Sequence, residues 1–353
     1  METRNYKVGE HIFKVELESP WNFMEYTGAV AERIRAAAAG EVLNIKPTRA
    51  GDQLQARTFV KSKKELPASM NEHTLDFSQY EPFYTNEEAS LFSLKICSSE
   101  PSWIDEEKAS GEIKLILKVD KDLPCYYIYD RGGETIYELD ADRGNIAGIL
   151  RVSKDYKHGE YYPKKNFVGY SALPHICTSL MMMYTYNSAL LSTLMIHSSV
   201  VKHNGKAMMF LGTSGTGKST HSKLWLDNID GSELINDDNP VIRLIKDSQG
   251  KEKLFVYGSP WSGKTPCYRN VKEEVGGIVR LNQASANEIQ ELNGLKAYAG
   301  IVASCSIIRW DRGIMDNITQ TASQIVMSVP CYDLKCLPDA EAALLCRSRL
   351  NCD

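Results

Sequence analysis

Apolar and polar positions alternate with a period of two in four early stretches: His11–Leu17 (HIFKVEL), Ser90–Ile96 (SLFSLKI), Glu112–Val119 (EIKLILKV) and Thr135–Leu139 (TIYEL). That period sends successive side chains to opposite faces and predicts half-buried β-strands. Arg131-Gly132-Gly133, between strand-like runs, predicts a hairpin turn. Ala29–Ala39 (AVAERIRAAAA) carries a helical pattern instead, stopped by Gly40. The polar run Ser153–Lys165 (SKDYKHGEYYPKK) reads as a linker or exposed loop. It divides the chain into a β-rich domain, residues 1–165, and a second domain, residues 166–353, with an α/β pattern.

The second domain opens on a long apolar run, Ile176–Ile196 (ICTSLMMMYTYNSALLSTLMI). Thr178, Ser179, Thr185, Asn187, Ser188, Ser192 and Thr193 interrupt it, and no Lys/Arg asymmetry flanks it. A buried core helix is therefore expected rather than a membrane span. In HSSVVKHNGKAMMFLG, two β-rich runs flank Asn204-Gly205, a strong hairpin signature. KSTHSKLWLDNI then predicts a helix with Leu224 and Leu226 on its apolar side. ELINDDNPVIRLI predicts a strand interrupted by acids. The second domain is thus α/β in class, and the whole chain α+β.

Composition narrows the partners. The 353 residues are 43% hydrophobic and 24% charged, ordinary for soluble domains. A net charge of −4 gives no global pull toward nucleic acid or an anionic membrane, so no nucleic-acid partner is expected. METRNYKVGEHIF lacks the apolar run of a signal peptide. The nine cysteines are scattered and form no C-x-x-C pair. Reduced thiols in a cytoplasmic protein are expected, not a zinc site or a disulfide framework.

The chemistry concentrates at Gly212–Thr220, GTSGTGKST, placed after a strand pattern and before a helix pattern. It fits G-x-x-x-x-G-K-[ST]. Backbone N–H groups converge on phosphate oxygens only where side chains leave room, hence Gly212, Gly215 and Gly217. Thr213, Ser214, Thr216 and Thr220 complete the cradle, and the helix adds its positive end. Lys218 would reach the β- and γ-phosphates, and the Ser219 hydroxyl would ligate Mg²⁺. About twenty residues on, Asp237 and Asp238 follow the apolar pair Leu234-Ile235. Such acids hold Mg²⁺ directly or through water, or one acts as base toward an attacking hydroxyl. Adjacent strand residues face opposite ways, which favours divided roles. A solvated Asp-Asp-Asn-Pro turn is the plain alternative. On the residues alone His197 has no assigned role.

Taken in order, His-x-Ser, the Asn-Gly hairpin, G-x-S-G-T-G-K-S-T and the Asp pair cover Ile196–Asn239. They resemble the nucleotide-binding core shared by HPr serine kinase/phosphorylase and ATP-dependent phosphoenolpyruvate carboxykinase. GSPWSGKTPCYRN (Gly258–Asn270) resembles a segment beside that core in HPr-kinase-related proteins. The resemblance implies a carboxykinase-type core: a mixed sheet with flanking helices, unlike a doubly wound sheet. It implies a phosphate cradle over Ser214–Thr220, a metal held by Ser219 with Asp237 or Asp238, and an Asp of the pair as base. It places His197 near the γ-phosphate or metal, and implies a homo-oligomer. Where HPr kinases carry Glu-x-Arg-Gly, this chain has Phe255-Val256-Tyr257-Gly258, so the resemblance does not extend to HPr as acceptor. Lys264 and Arg269 are the nearest candidates to supply positive charge to a transferring phosphoryl group. Arg280 is a further one. Trp261 is either a loop anchor or a cover for the base.

The function expected is Mg²⁺-ATP-dependent phosphoryl transfer to a hydroxyl of a protein, a peptide or a small molecule. The β-rich domain would recognise that acceptor. The alternatives are a nucleotide-binding regulator with little turnover and a carboxykinase-like lyase.

Overall fold

The computed structural model describes residues 1–38, 73–118, 125–142, 145–167, 171–263, 265–306 and 311–350. They fall into two compact units. One holds the described residues of Met1–Gly28 and Ser62–Ser188, the other those of Ala29–Lys61 and Ala189–Asp353.

In chain order the elements up to Ala189 are β1 (Glu2–Val8), β2 (His11–Leu17), β3 (Asn22–Phe23), α1 (Gly28–Ala38), β4 (Thr74–Leu75), β5 (Tyr84–Thr85), β6 (Phe92–Ile96), α2 (Ile104–Ser110), β7 (Lys114–Lys118), β8 (Cys125–Arg131), β9 (Glu134–Asp142), β10 (Asn145–Val152), β11 (His158–Pro163) and α3 (Leu173–Ala189). The first unit is built on a sheet ordered β5-β1-β2-β6-β11-β10-β9-β8-β7. Alternation is kept in β2 and β6, whose Phe13, Val15, Leu17, Phe92, Leu94 and Ile96 are buried. Gly132 and Gly133, at φ 61° and 97°, make the two-residue turn between β8 and β9. α3 packs across this sheet: Tyr184 donates to Val8 O at 2.9 Å, and Asn187 donates to Tyr156 O at 2.9 Å.

Two expectations here are corrected. The polar run Ser153–Lys165 is not a linker; it contains β11, which lies between β6 and β10 inside the sheet. Charged residues mask its alternation, since Tyr161 is buried while Glu160 turns out to accept from Arg151 at 2.9 Å. β7 is not half-buried. Leu115, Ile116 and Leu117 are all exposed, because β7 is the end strand of the sheet order. The apolar run Ile176–Ile196 is a helix ending at Ala189 followed by a short strand. No helix among the described residues is long and apolar enough to cross a membrane. Gly40, the expected helix stop, lies outside the described residues.

The second unit comprises β12 (Thr193–Met195), β13 (Ser198–His203), β14 (Lys206–Leu211), α4 (Lys218–Asn228), β15 (Glu233–Asp238), β16 (Val241–Lys246), β17 (Glu252–Tyr257), β18 (Lys272–Gln283), β19 (Glu288–Glu291), α5 (Gly294–Ser304), α6 (Arg312–Ser328), β20 (Cys331–Cys336) and α7 (Ala340–Arg349). Its main path is β12-β16-β17-β18-β14-β13-β15, with β20 paired to β18 and β19. β14, β18 and β20 are mutually parallel, and the other pairings are antiparallel, so the sheet is mixed. Asn204 and Gly205, both at positive φ, form the turn joining β13 to β14. The predicted acid-interrupted strand is two strands, β15 and β16, parted at Asn239-Pro240, where proline removes a ladder donor.

Register decides what meets at the sheet's end. Asp238 pairs with Ser198, Ser198 with Leu211, Leu211 with Arg280, and Arg280 with Asp333. These five residues form one row across β15, β13, β14, β18 and β20. The preceding row is Asp237, Ser199, Phe210, Val279 and Tyr332. Residues of one row share a face, and neighbouring rows face opposite ways. Ser199 meets Ser222 of α4 at 2.6 Å, and Phe210 and Val279 pack with Trp225, so the Asp237 row faces α4 and α7. Arg280 lies against Gly300 of α5, so the Asp238 row faces the other way. α4 is anchored by buried His221, Ser222 and Trp225; Leu226, expected on the apolar side, is 40% exposed. Leu224 packs, partly buried, against the same core cluster as the Trp225 indole. Cys97, Cys177, Cys267, Cys305, Cys331, Cys336 and Cys346 are free thiols.

Candidate functional site at the glycine loop

β14 ends at Leu211, and α4 begins at Lys218. Gly217 caps that helix at φ 106°, a conformation a β-carbon would strain. The loop between them holds itself: Thr216 Oγ1 donates to Thr213 O at 2.7 Å, and Thr216 N to the same oxygen at 3.1 Å. Thr213, Ser214, Gly215, Ser219 and Thr220 are exposed, so loop amides and the first hydroxyls of α4 line an open surface.

Lys218 is the buried member. Its Nζ donates to Gly212 O and to His197 Nε2, both at 2.9 Å, and lies 3.4 Å from Thr213 O. Burial pulls its ammonium below the ordinary lysine value, while Asp238 and Asp237 pull it back up. His197 Nδ1 meets Asp238 Oδ1 at 2.9 Å. The ring therefore accepts from Lys218 at Nε2 and donates to Asp238 from Nδ1, which fixes its tautomer. The hairpin explains the meeting. His197 precedes β13 and Gly212 follows β14, so the turn at Asn204-Gly205 brings both to one end of the sheet. His197 N also donates to Ser304 O at 2.7 Å, anchoring the histidine to the end of α5.

The acid pair is divided. Asp237 is only 6% exposed, on the α4 face, and among the described residues no side chain pairs with its carboxylate. Asp238 is partly exposed, on the other face, and engaged by His197. Gly263 N donates to Asp237 O at 2.9 Å, and a β-carbon at Gly263 would sit 3.1 Å from Asp238 Cβ. Glycine is thus what lets the segment after Trp261 lie against both acids. Trp261 is buried, and its carbonyl accepts from Asn239 N at 3.1 Å, so it anchors this loop.

The other predicted cations divide as well. Arg269 is buried at the far end of β15, donating to Leu234 O at 2.9 Å and to Glu233 at 2.7 Å. The structure places it on the strand's start, away from the acids at its end, and its guanidinium is committed there. Arg280 is held by Asp333 at 2.6 Å within the row that contains Asp238. Lys264 lies outside the described residues.

Two residues were missed from the sequence. Gln283, at the end of β18, donates to Gly215 O at 3.2 Å and so touches the loop. Asn236 is fully buried; its Oδ1 accepts from Asp238 N at 3.2 Å and Asn239 N at 3.1 Å, shaping the turn at the acids. Asn-Asp-Asp-Asn-Pro carries that turn signal in the sequence. Nothing local marks Gln283, which is 68 positions from its partner.

Beside the loop is a half-open cleft of about 420 Å³. Gly215–Gly217, Leu224, Leu281, Leu337 and Pro338 are among the residues that line it.

No family model matches the chain, and no curated protein matches it. Among solved structures, the Hpr(Ser) kinase/phosphatase from Coxiella burnetii is similar to it, with a TM-score of 0.25 and 14% identity over 44% of this chain and 88% of that one. A likeness that weak does not define the fold, and the functional reading rests on the residues around Lys218.

Proposed function

We propose that the chain is an HPr-kinase-like phosphotransferase with a carboxykinase-type core, moving the γ-phosphoryl group of ATP to a hydroxyl. The observation that carries this reading is the chain Asp238–His197–Lys218, at 2.9 Å in both links, set on a strand–glycine loop–helix. The loop amides and Lys218 bind the β- and γ-phosphates, releasing Lys218 from the carbonyls it now holds. A buried carboxylate with no side-chain partner among the described residues, and a hydroxyl in the first turn of α4, form an all-oxygen donor set that suits Mg²⁺. Asp237 and Ser219 would hold that ion, which supplies charge neutralisation across the phosphates when bound. Asp238 faces the other way; His197 engages its Oδ1, and the other oxygen would accept the proton. The acceptor oxygen bonds to the γ-phosphorus, the bond to the β-phosphate oxygen breaks, ADP leaves with that electron pair, and the acceptor proton passes to Asp238. His197 holds the carboxylate in position.

Label from γ-labelled ATP is expected to enter the protein or the small-molecule fraction of a cell extract with the intact chain, and in neither with Lys218→Ala. Bound ATP without transfer would replace the kinase reading with that of a nucleotide-binding regulator. The receiving fraction would name the acceptor class, and sedimentation would test a homo-oligomer.

A further inference from the structure

The row that carries Asp238 across the sheet also carries Arg280, on the same face. That face is not the one α4 covers, so Arg280 stands on the side of Asp238 and away from Asp237. Its stem lies against α5: a β-carbon at Gly300 would sit 3.7 Å from Arg280 Cδ. One helical turn further on, Ser304 O takes the His197 amide at 2.7 Å. Arg280 and His197 thus flank the last turn of α5. The side chains of Asp238, His197 and Arg280 are 31%, 39% and 34% exposed. Ser198 and Leu211, between Asp238 and Arg280 in the row, are buried. A molecule that spans the two therefore lies across the end of the sheet, not on its face.

Arg280 is held in a way that leaves it half used. Asp333, buried, accepts from its Nε at 2.6 Å through Oδ1. The same oxygen accepts from Asn282 Nδ2 at 2.7 Å, which fixes the carboxylate. The guanidinium is gripped along one side, and among the described residues no group pairs with Nη1 or Nη2. That free edge is the fork that meets a carboxylate or phosphate with two parallel hydrogen bonds. Arg269 is the contrast: its Nη1 goes to Leu234 O and its Nη2 to Glu233.

We propose that Arg280 binds the anionic end of the phosphoryl acceptor, and that the acceptor is a small hydroxyl compound bearing a carboxylate or phosphate. The assignment rests on the phosphotransferase reading above. Three strand spacings separate Asp238 from Arg280, about 14 Å between backbones. The group that Arg280 takes is therefore not the one that reacts at Asp238, and hydroxyl and anion are separate ends of one molecule. Two-thirds of the Arg280 side chain is covered. That recess suits the terminal anion of a small molecule better than a charge on the surface of a folded protein.

The test has two arms, both on the full chain. In the first, the small-molecule fraction of a cell extract is split on an anion-exchange resin and incubated with γ-labelled ATP and Mg²⁺. Label is expected to enter the retained compounds alone. Phosphatase treatment of that fraction beforehand removes the acceptor if its anion is a phosphate and spares it if it is a carboxylate. Arg280→Gln is expected to raise the half-saturating amount of the fraction by about thirtyfold or more, with ATP affinity unchanged, and Arg280→Lys to recover part of the loss. Asp333 keeps Asn282 as a donor, and unchanged melting checks that the Gln variant folds; the Lys variant serves if it does not. Label in the protein or the unretained fraction alone, or wild-type half-saturation by the variants, would overturn the assignment. In the second arm, malonate is added to the Lys218→Ala chain, and the Arg280 Nε–H resonance is followed by NMR. The resonance is expected to shift, and no shift would overturn the anion site whether or not transfer occurs. A shift with no label in any fraction would instead sink the phosphotransferase reading and leave the anion site standing.

Discussion

Charge is arranged differently around Trp103 in the first unit and around Lys218 in the second. Arg131 and Arg151 lie over the Trp103 ring, and each is matched by acids. Arg131 pairs with Glu107 and Glu134, and Arg151 with Glu134 at 2.6 Å and Glu160 at 2.9 Å. The partners reinforce one another: Glu134 holds Arg151 above its ordinary value, and Arg151 holds Glu134 below its own. Around Lys218 the partners are two carbonyl oxygens and an imidazole, all neutral, and burial weakens the ammonium's hold on its proton. A saturated cluster has nothing left to offer a ligand. A buried cation on neutral acceptors, with carboxylates a step away, gains most from an arriving polyanion.

Breaking that comparison at its strongest point means replacing Lys218. Lys218→Ala is expected to weaken ATP binding by on the order of 10²–10³-fold and to remove transfer, read by titration and label counting. Asp238→Asn should separate chemistry from binding: transfer falls by about 10²–10³-fold, while ATP affinity stays within about threefold. Equal transfer by the Asn variant would remove Asp238 as base.

A pH series sharpens the same contrast through His221, which burial holds neutral with a folded-state pKa near 4. An unfolded histidine titrates near 6.5, so below that pH the unfolded chain takes up the proton first, and stability falls until about pH 4. The loss between pH 7.5 and 5 is expected to be about 2 kcal/mol, measured by urea unfolding, and absent in His221→Phe. In the first unit the effect is smaller. Arg151→Ala should cost about 1 kcal/mol, since its pairs are partly exposed, and should leave ATP binding untouched.

The sequence carried much of this by short-range rules. Period-two alternation placed β2 and β6, and Asn204-Gly205 placed the hairpin, because strands and turns are written in adjacent residues. β11 was hidden because its exposed face is charged; what makes it an inner strand is pairing with β6 and β10, which no local pattern encodes. At the site, the glycine loop and the acids were legible from their spacing. The split between Asp237 and Asp238 was foreshadowed by alternation, but which acid faces α4 follows from the register with β13. Arg269 looked like a phosphate clamp by proximity in sequence, and only the course of β15 shows that its charge is committed at the opposite end.

The hairpin also sets a timetable. Lys218's partners lie 5, 6 and 21 positions away along the chain, whereas Arg280 and Asp333 are 53 apart. Closing a longer loop costs more entropy, so contacts near in sequence form first. In refolding, the amides of Lys206–Leu211 that face β13 are expected to gain protection from hydrogen exchange before those of Cys331–Cys336, read by pulse labelling. The opposite order would mean that β20 and β18 template the sheet. In the expected order, the lysine and histidine take their places while the far side of the row is still open chain.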